Sequence, residues 1–121
     1  MGGFGRADAL HKAADAMANR AEEAAQMISR ETGKPLAQSR REWVLAVDQF
    51  RWYAEEARRI YGRIIASRVP NGRFEVTKDP VGITAAFTAW NFPASLPARK
   101  LAPAFLKGAK LRLMRPRMSA E

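Results

Sequence analysis

The chain has 121 residues, 47% of them hydrophobic, which is enough for one ordinary core and excludes wholesale disorder. It contains no cysteine, so disulfides, thiolate metal sites and a cysteine nucleophile of its own are excluded, in keeping with a reducing compartment. The net charge of +9 is lopsided: residues 1–61 carry ten Lys/Arg against nine Asp/Glu, and residues 62–121 carry eleven against three. A basic half suggests either a polyanionic partner, nucleic acid or acidic lipid, or the counterpart of a missing acidic region. The basic residues are scattered and no recognised nucleic-acid motif accompanies them, so the second reading is preferred. No apolar run is long enough to span a membrane and no secretory leader is visible, so a cytoplasmic location is expected.

Residues 7–30 read as one amphipathic helix, with Leu10, Ala13, Ala14, Met17, Ala21, Ala24 and Ile28 three and four apart. Gly33 suits a left-handed C-terminal cap, and Pro35 can open the next helix. A second helix is expected over residues 35–61, with a stripe of Trp43, Val47, Phe50, Ala54, Ala57 and Tyr61 and an exposed Glu55–Arg59 pair. Gly62 offers its stop. His11, the only histidine, sits among surface positions and has no neighbour in sequence that suggests catalysis.

Beyond residue 62 the period changes. Ile64, Ile65 and Val69 precede the turn residues Pro70-Asn71-Gly72, and residues 73–78 alternate as a half-buried strand does. Residues 81–88 form a nearly continuous apolar run, the pattern of a strand covered on both faces. Residues 94–107 are expected to be helical, with Pro97 in the first turn, Pro103 interrupting the hydrogen-bond ladder and Gly108 as the cap. A short strand follows at residues 110–115, although Arg112 and Arg115 fit poorly in a buried parallel strand. The expected class is α/β. Residues 6–62 form a helical hairpin region of two long helices, and residues 63–121 form strands plus one helix, ending in half of a doubly wound unit. Such a strand is normally flanked by others, so 1–121 is expected to be a single incomplete unit.

The segment Trp90-Asn91-Phe92-Pro93, between the apolar run and the last helix, carries the chemistry. An amide at the mouth of a strand is a donor suited to an oxyanion. It can equally cap the helix that follows or close a turn. No Asp/Glu/His cluster has metal-ligand spacing, and no phosphate-loop pattern is present.

Asp79-Pro80-Val81-Gly82-Ile83, Thr88-Ala89-Trp90-Asn91-Phe92-Pro93 and Pro97-Ala98-Arg99-Lys100-Leu101-Ala102-Pro103-Ala104 together resemble the NAD(P)-dependent aldehyde dehydrogenase superfamily. Lys12-Ala13-Ala14-Asp15, Glu31-Thr32-Gly33-Lys34-Pro35 and Trp52-Tyr53-Ala54-Glu55-Glu56-Ala57 stand in the family's order, and the likeness covers roughly residues 7–108. The resemblance implies oxidation of an aldehyde to a carboxylic acid with NAD or NADP, through a cysteine nucleophile and a glutamate base. Asn91 would donate its amide to the tetrahedral oxyanion. Thr88, Ala89 and Trp90 would lie along the cofactor, with Arg115 reaching its ribose. Arg99 matches an arginine that contacts the substrate carboxylate in relatives acting on succinate semialdehyde. The cysteine, the glutamate and the cofactor glycine loop are absent from this sequence, and after Gly108 the match decays. The resemblance therefore implies a truncated N-terminal portion, inactive alone and doubtful in binding cofactor by itself. Its open edges suit self-association or binding to a full-length homologue.

Overall fold

A computed structural model describes residues 1–80 and 82–114, with the backbone alone described for 110–114. Three helices come first: α1 (Gly3–Ala18), α2 (Ala21–Thr32) and α3 (Leu36–Ala57). An antiparallel hairpin follows, β1 (Arg63–Ala66) with β2 (Arg73–Val76), in the register Arg63 to Val76 and Ala66 to Arg73. The last unit is β3 (Ile83–Phe87), α4 (Ser95–Leu106) and β4 (Lys110–Met114), whose strands pair in parallel from Ile83–Lys110 to Phe87–Met114. The α/β class and the β-α-β ending agree with the sequence.

The first expected helix is two helices. Nothing at Asn19-Arg20 punctuates the sequence; tertiary contacts make the break. The Met17 carbonyl accepts the Arg20 N–H at 3.1 Å, tightening the last turn, and also the Trp43 indole N–H at 2.8 Å. An indole from α3 thus satisfies a carbonyl that a continuous helix would have used itself. After the break the buried face moves, so Ala25 and Ile28 are buried in α2 while Ala21 and Ala24 are only half-buried.

The core lies where α1, α3 and α4 meet. Ala7, Leu10, Ala54, Ala57, Ala102 and Leu106 form it, edged by Phe50, Tyr53, Ile60 and Phe105. Alanines let the helices approach closely. At Gly3 the approach is closer still: a Cβ there would stand 2.6 Å from the Ala57 carbonyl oxygen. Helix α3 ends at Ala57, four residues before the expected Tyr61, and Tyr61 is 65% exposed rather than part of the stripe. The expected Glu55–Arg59 pair does not form. Glu55 instead meets His11 Nε2 at 2.8 Å, tying α1 to α3, and Arg59 pairs with Glu56. A cross-helix partner won over the local one.

The expected left-handed caps are present, with φ of 71° at Gly33 and 77° at Gly108. Strand β3 departs from expectation. Ala86 is buried and Thr84 half-buried beneath α4, while Ile83, Ala85 and Phe87 are exposed. Only one face is covered, because no described element packs on the other. No helix among the described residues is long and apolar enough to cross a membrane.

Candidate functional site

The site is the corner between β3 and α4. Parallel strands of doubly wound sheets present ligands at their carboxyl ends, and this corner leaves the carboxyl end of β3. Thr88 is buried as the chain exits the sheet. Ala89, Trp90, Asn91 and Phe92 then run along the surface, and Pro93 turns back into the protein. The Phe87 carbonyl, last in β3, accepts Lys100 Nζ from α4 at 2.5 Å, fixing the strand end to the helix. Ala89 and Trp90 are exposed at this carboxyl edge, where a dinucleotide would have room to lie.

A group that the sequence reading passed over organises this corner. Glu42 of α3 is 3% exposed. Its Oε1 accepts the N–H of Ala94 at 2.9 Å and that of Ser95 at 3.2 Å, the free donors at the start of α4. A carboxylate placed there also opposes the positive end of the helix dipole. Its Oε2 accepts Lys34 Nζ at 2.5 Å, and the two side chains are 2% and 14% exposed. The same ammonium donates to the Asn91 carbonyl at 3.0 Å and lies 4.2 Å from the Phe92 ring centroid. Glu42 stands three residues after Ser39 and four before Ala46, both buried, so the fold sets a carboxylate into a buried helix face that the residue types alone do not mark.

Asn91 therefore does not cap α4. No side-chain cap is made at its N-terminus, where Ala94 is the cap residue, and Glu42 supplies the acceptor. The Asn91 carbonyl is engaged, whereas its side chain is exposed and its amide makes no hydrogen bond among the described residues. Arg99 is exposed on α4, one turn into the helix, and its guanidinium is likewise unpaired among the described residues. Arg115 lies outside the described residues.

The description "Aldehyde dehydrogenase family" matches residues 3–116. The chain is 52% identical over 90 residues to 4-(hydroxymethyl)benzenesulfonate dehydrogenase TsaD1 of Comamonas testosteroni, covering 74% of this chain and 19% of that protein. It is 46% identical over 84 residues to the succinate semialdehyde dehydrogenase of Acinetobacter baylyi, covering 69% of this chain and 17% of that protein. Among solved structures, the succinate-semialdehyde dehydrogenase of Burkholderia pseudomallei superposes with a TM-score of 0.92 at 34% identity, over 95% of this chain and 24% of that one. The chain belongs to the aldehyde dehydrogenase family. It spans about a fifth of the length of the curated relatives it matches.

Proposed function

We propose that this chain supplies the oxyanion corner and one wall of the cofactor site of an enzyme that oxidises an aldehyde to a carboxylic acid with NAD or NADP. The observation that carries the reading is the Asn91 amide, exposed and without a partner among the described residues: Glu42 caps α4 and the Asn91 main chain is held by Lys34. In that role it donates to the carbonyl oxygen as negative charge builds on it. Thr88, Ala89 and Trp90 offer backbone to the cofactor, which when bound would accept the hydride. The cysteine and glutamate that the family reaction uses are not in this chain, so the chain by itself turns over no aldehyde. Turnover by the pure chain with NAD or NADP would overturn that point.

The relatives named above act on compounds bearing a sulfonate or a carboxylate. Arg99, unpaired among the described residues and eight residues after Asn91, is the group we assign to such a distal anion, because its donors form a fork that matches two oxygens. The test is a hybrid in which residues 3–108 replace the matching segment of the Acinetobacter baylyi enzyme. Asn91→Ala in the hybrid is expected to lower kcat by about 10²–10³. Arg99→Met is expected to raise KM for succinate semialdehyde and to spare an uncharged aldehyde. An Asn91→Ala hybrid within threefold of its parent would refute the donor role.

A second reading is favoured by the uncovered sheet. Ile83 is 79% and Phe87 62% exposed on one face of β3, and Ile64 and Phe74 are similarly bare on the hairpin. Apolar faces of this kind suit association with a full-length homologue or with a second copy. Size-exclusion chromatography, alone and with a homologue, should show a complex; a monomer that ignores the homologue would refute it.

A further inference from the structure

The Asn91 corner is held at both ends by one ion pair that comes from elsewhere in the chain. Lys34 follows the cap of α2 and Glu42 sits on α3; the corner they hold lies 52 to 57 residues further on. We propose that Glu42 and Lys34 are positioning residues for Asn91. Glu42 fixes the first amides of α4, and Lys34, locked to that carboxylate, fixes the Asn91 main chain by its carbonyl. The inference rests on the reading of Asn91 as the oxyanion donor.

Three groups surround the ammonium nitrogen. They are a carboxylate oxygen, a peptide oxygen and the face of Phe92. With both ends of the segment anchored, the Asn91 side chain keeps only its own rotamers as freedom. An oxyanion donor needs that arrangement, since its contribution depends on being aimed before charge develops. A planar guanidinium in place of Lys34 would keep the charge but present its donors in one plane, so it cannot serve the same three neighbours.

The test is nuclear magnetic resonance of the full chain, with the Asn91 side-chain amide pair assigned by its loss in Asn91→Asp. In Glu42→Ala, exchange of the Ala94 and Ser95 amides is expected to accelerate at least tenfold relative to the Val47 amide. In Glu42→Gln, which keeps an acceptor oxygen, it is expected to stay within threefold. In Lys34→Met the Asn91 side-chain pair is expected to shift and broaden while the Ile28 and Val47 amides stay in place. Lys34→Arg gives the same readout in a charge-conserving variant should Lys34→Met fail to fold. An unchanged Asn91 pair in the Lys34 variants would overturn the proposal. So would uniform loosening that spares no core amide, which would reduce the pair to general support. The two readings fail separately. A hybrid enzyme indifferent to Asn91→Ala removes the donor role and leaves the resonance result standing, whereas unmoved resonances remove the positioning and leave the donor role.

Discussion

Removing the Glu42 carboxylate should be among the most damaging single changes available in this chain. Glu42→Ala strips acceptors from the Ala94 and Ser95 N–H groups, and it leaves the Lys34 ammonium, 14% exposed, without its counter-charge. An unsatisfied buried donor such as the Ser95 N–H costs about 1–3 kcal/mol. Breaking a buried ion pair from one side costs about 3–5 kcal/mol. These overlap, because the same oxygens serve both, so the expected loss is about 3–5 kcal/mol against a total stability of about 5–15 kcal/mol. Lys34→Met is milder, about 1–3 kcal/mol, since the carboxylate keeps its two amide donors. Combining Lys34→Met with Glu42→Ala should cost less than the sum, with a coupling of about 1–3 kcal/mol, because neither charge is then stranded. Urea unfolding followed by circular dichroism measures all four corners of the cycle. Additivity within about 0.5 kcal/mol, or a Glu42→Ala loss below about 1 kcal/mol, would refute the reasoning.

Gly62→Ala should disrupt the hairpin, since its Cβ would stand 2.4 Å from the Val76 carbonyl oxygen; faster amide exchange in β1 and β2 with an intact helical core is the expected result. Gly33→Ala meets no atom but must hold φ near 71°, at a cost of about 1–2 kcal/mol read from the urea midpoint. Acid should loosen the seam between α2 and α3. Hydrogen bonds from Arg40 hold the Glu22 carboxyl below its ordinary range, and Arg20, just ahead of α2, does the same for Glu23. A carboxylate depressed in the folded state contributes stability above its unfolded pKa, and that contribution fades as pH falls through the folded one. The urea midpoint should therefore fall as pH is lowered beneath about 4.3. Arg40→Met should flatten part of that decline.

Strong local chemistry made most of the architecture legible. Gly33 and Gly108 announced helix ends through the one conformation they permit cheaply, and Pro70-Asn71-Gly72 announced the hairpin turn, with Asn71 at φ 62°. The apolar run at 81–88 and the residues after it gave the β-α-β order. What stayed hidden depends on partners distant in the chain. The break after Ala18 comes from an indole 26 residues away, and Glu55 prefers His11 across 44 residues to Arg59 four positions on. The two-sided burial read into β3 rested on hydropathy, which records what a strand can bury rather than what is there to bury it. At the site, Asn91 was visible because a polar amide stood among aromatics and proline. Glu42 and Lys34 were not, because each looks like an ordinary surface charge until the fold brings them under the corner.

Trp90 stands beside Asn91 and is 54% exposed, Trp52 is 65% exposed, and only Trp43 is half-buried with its indole N–H engaged. The native emission spectrum should accordingly be weighted toward wet indole, and unfolding should move its maximum only slightly. The same arrangement gives the protein a built-in optical probe: with Trp52 changed to phenylalanine, quenching by iodide would report chiefly on Trp90, and so on whatever comes to rest against the amide next to it.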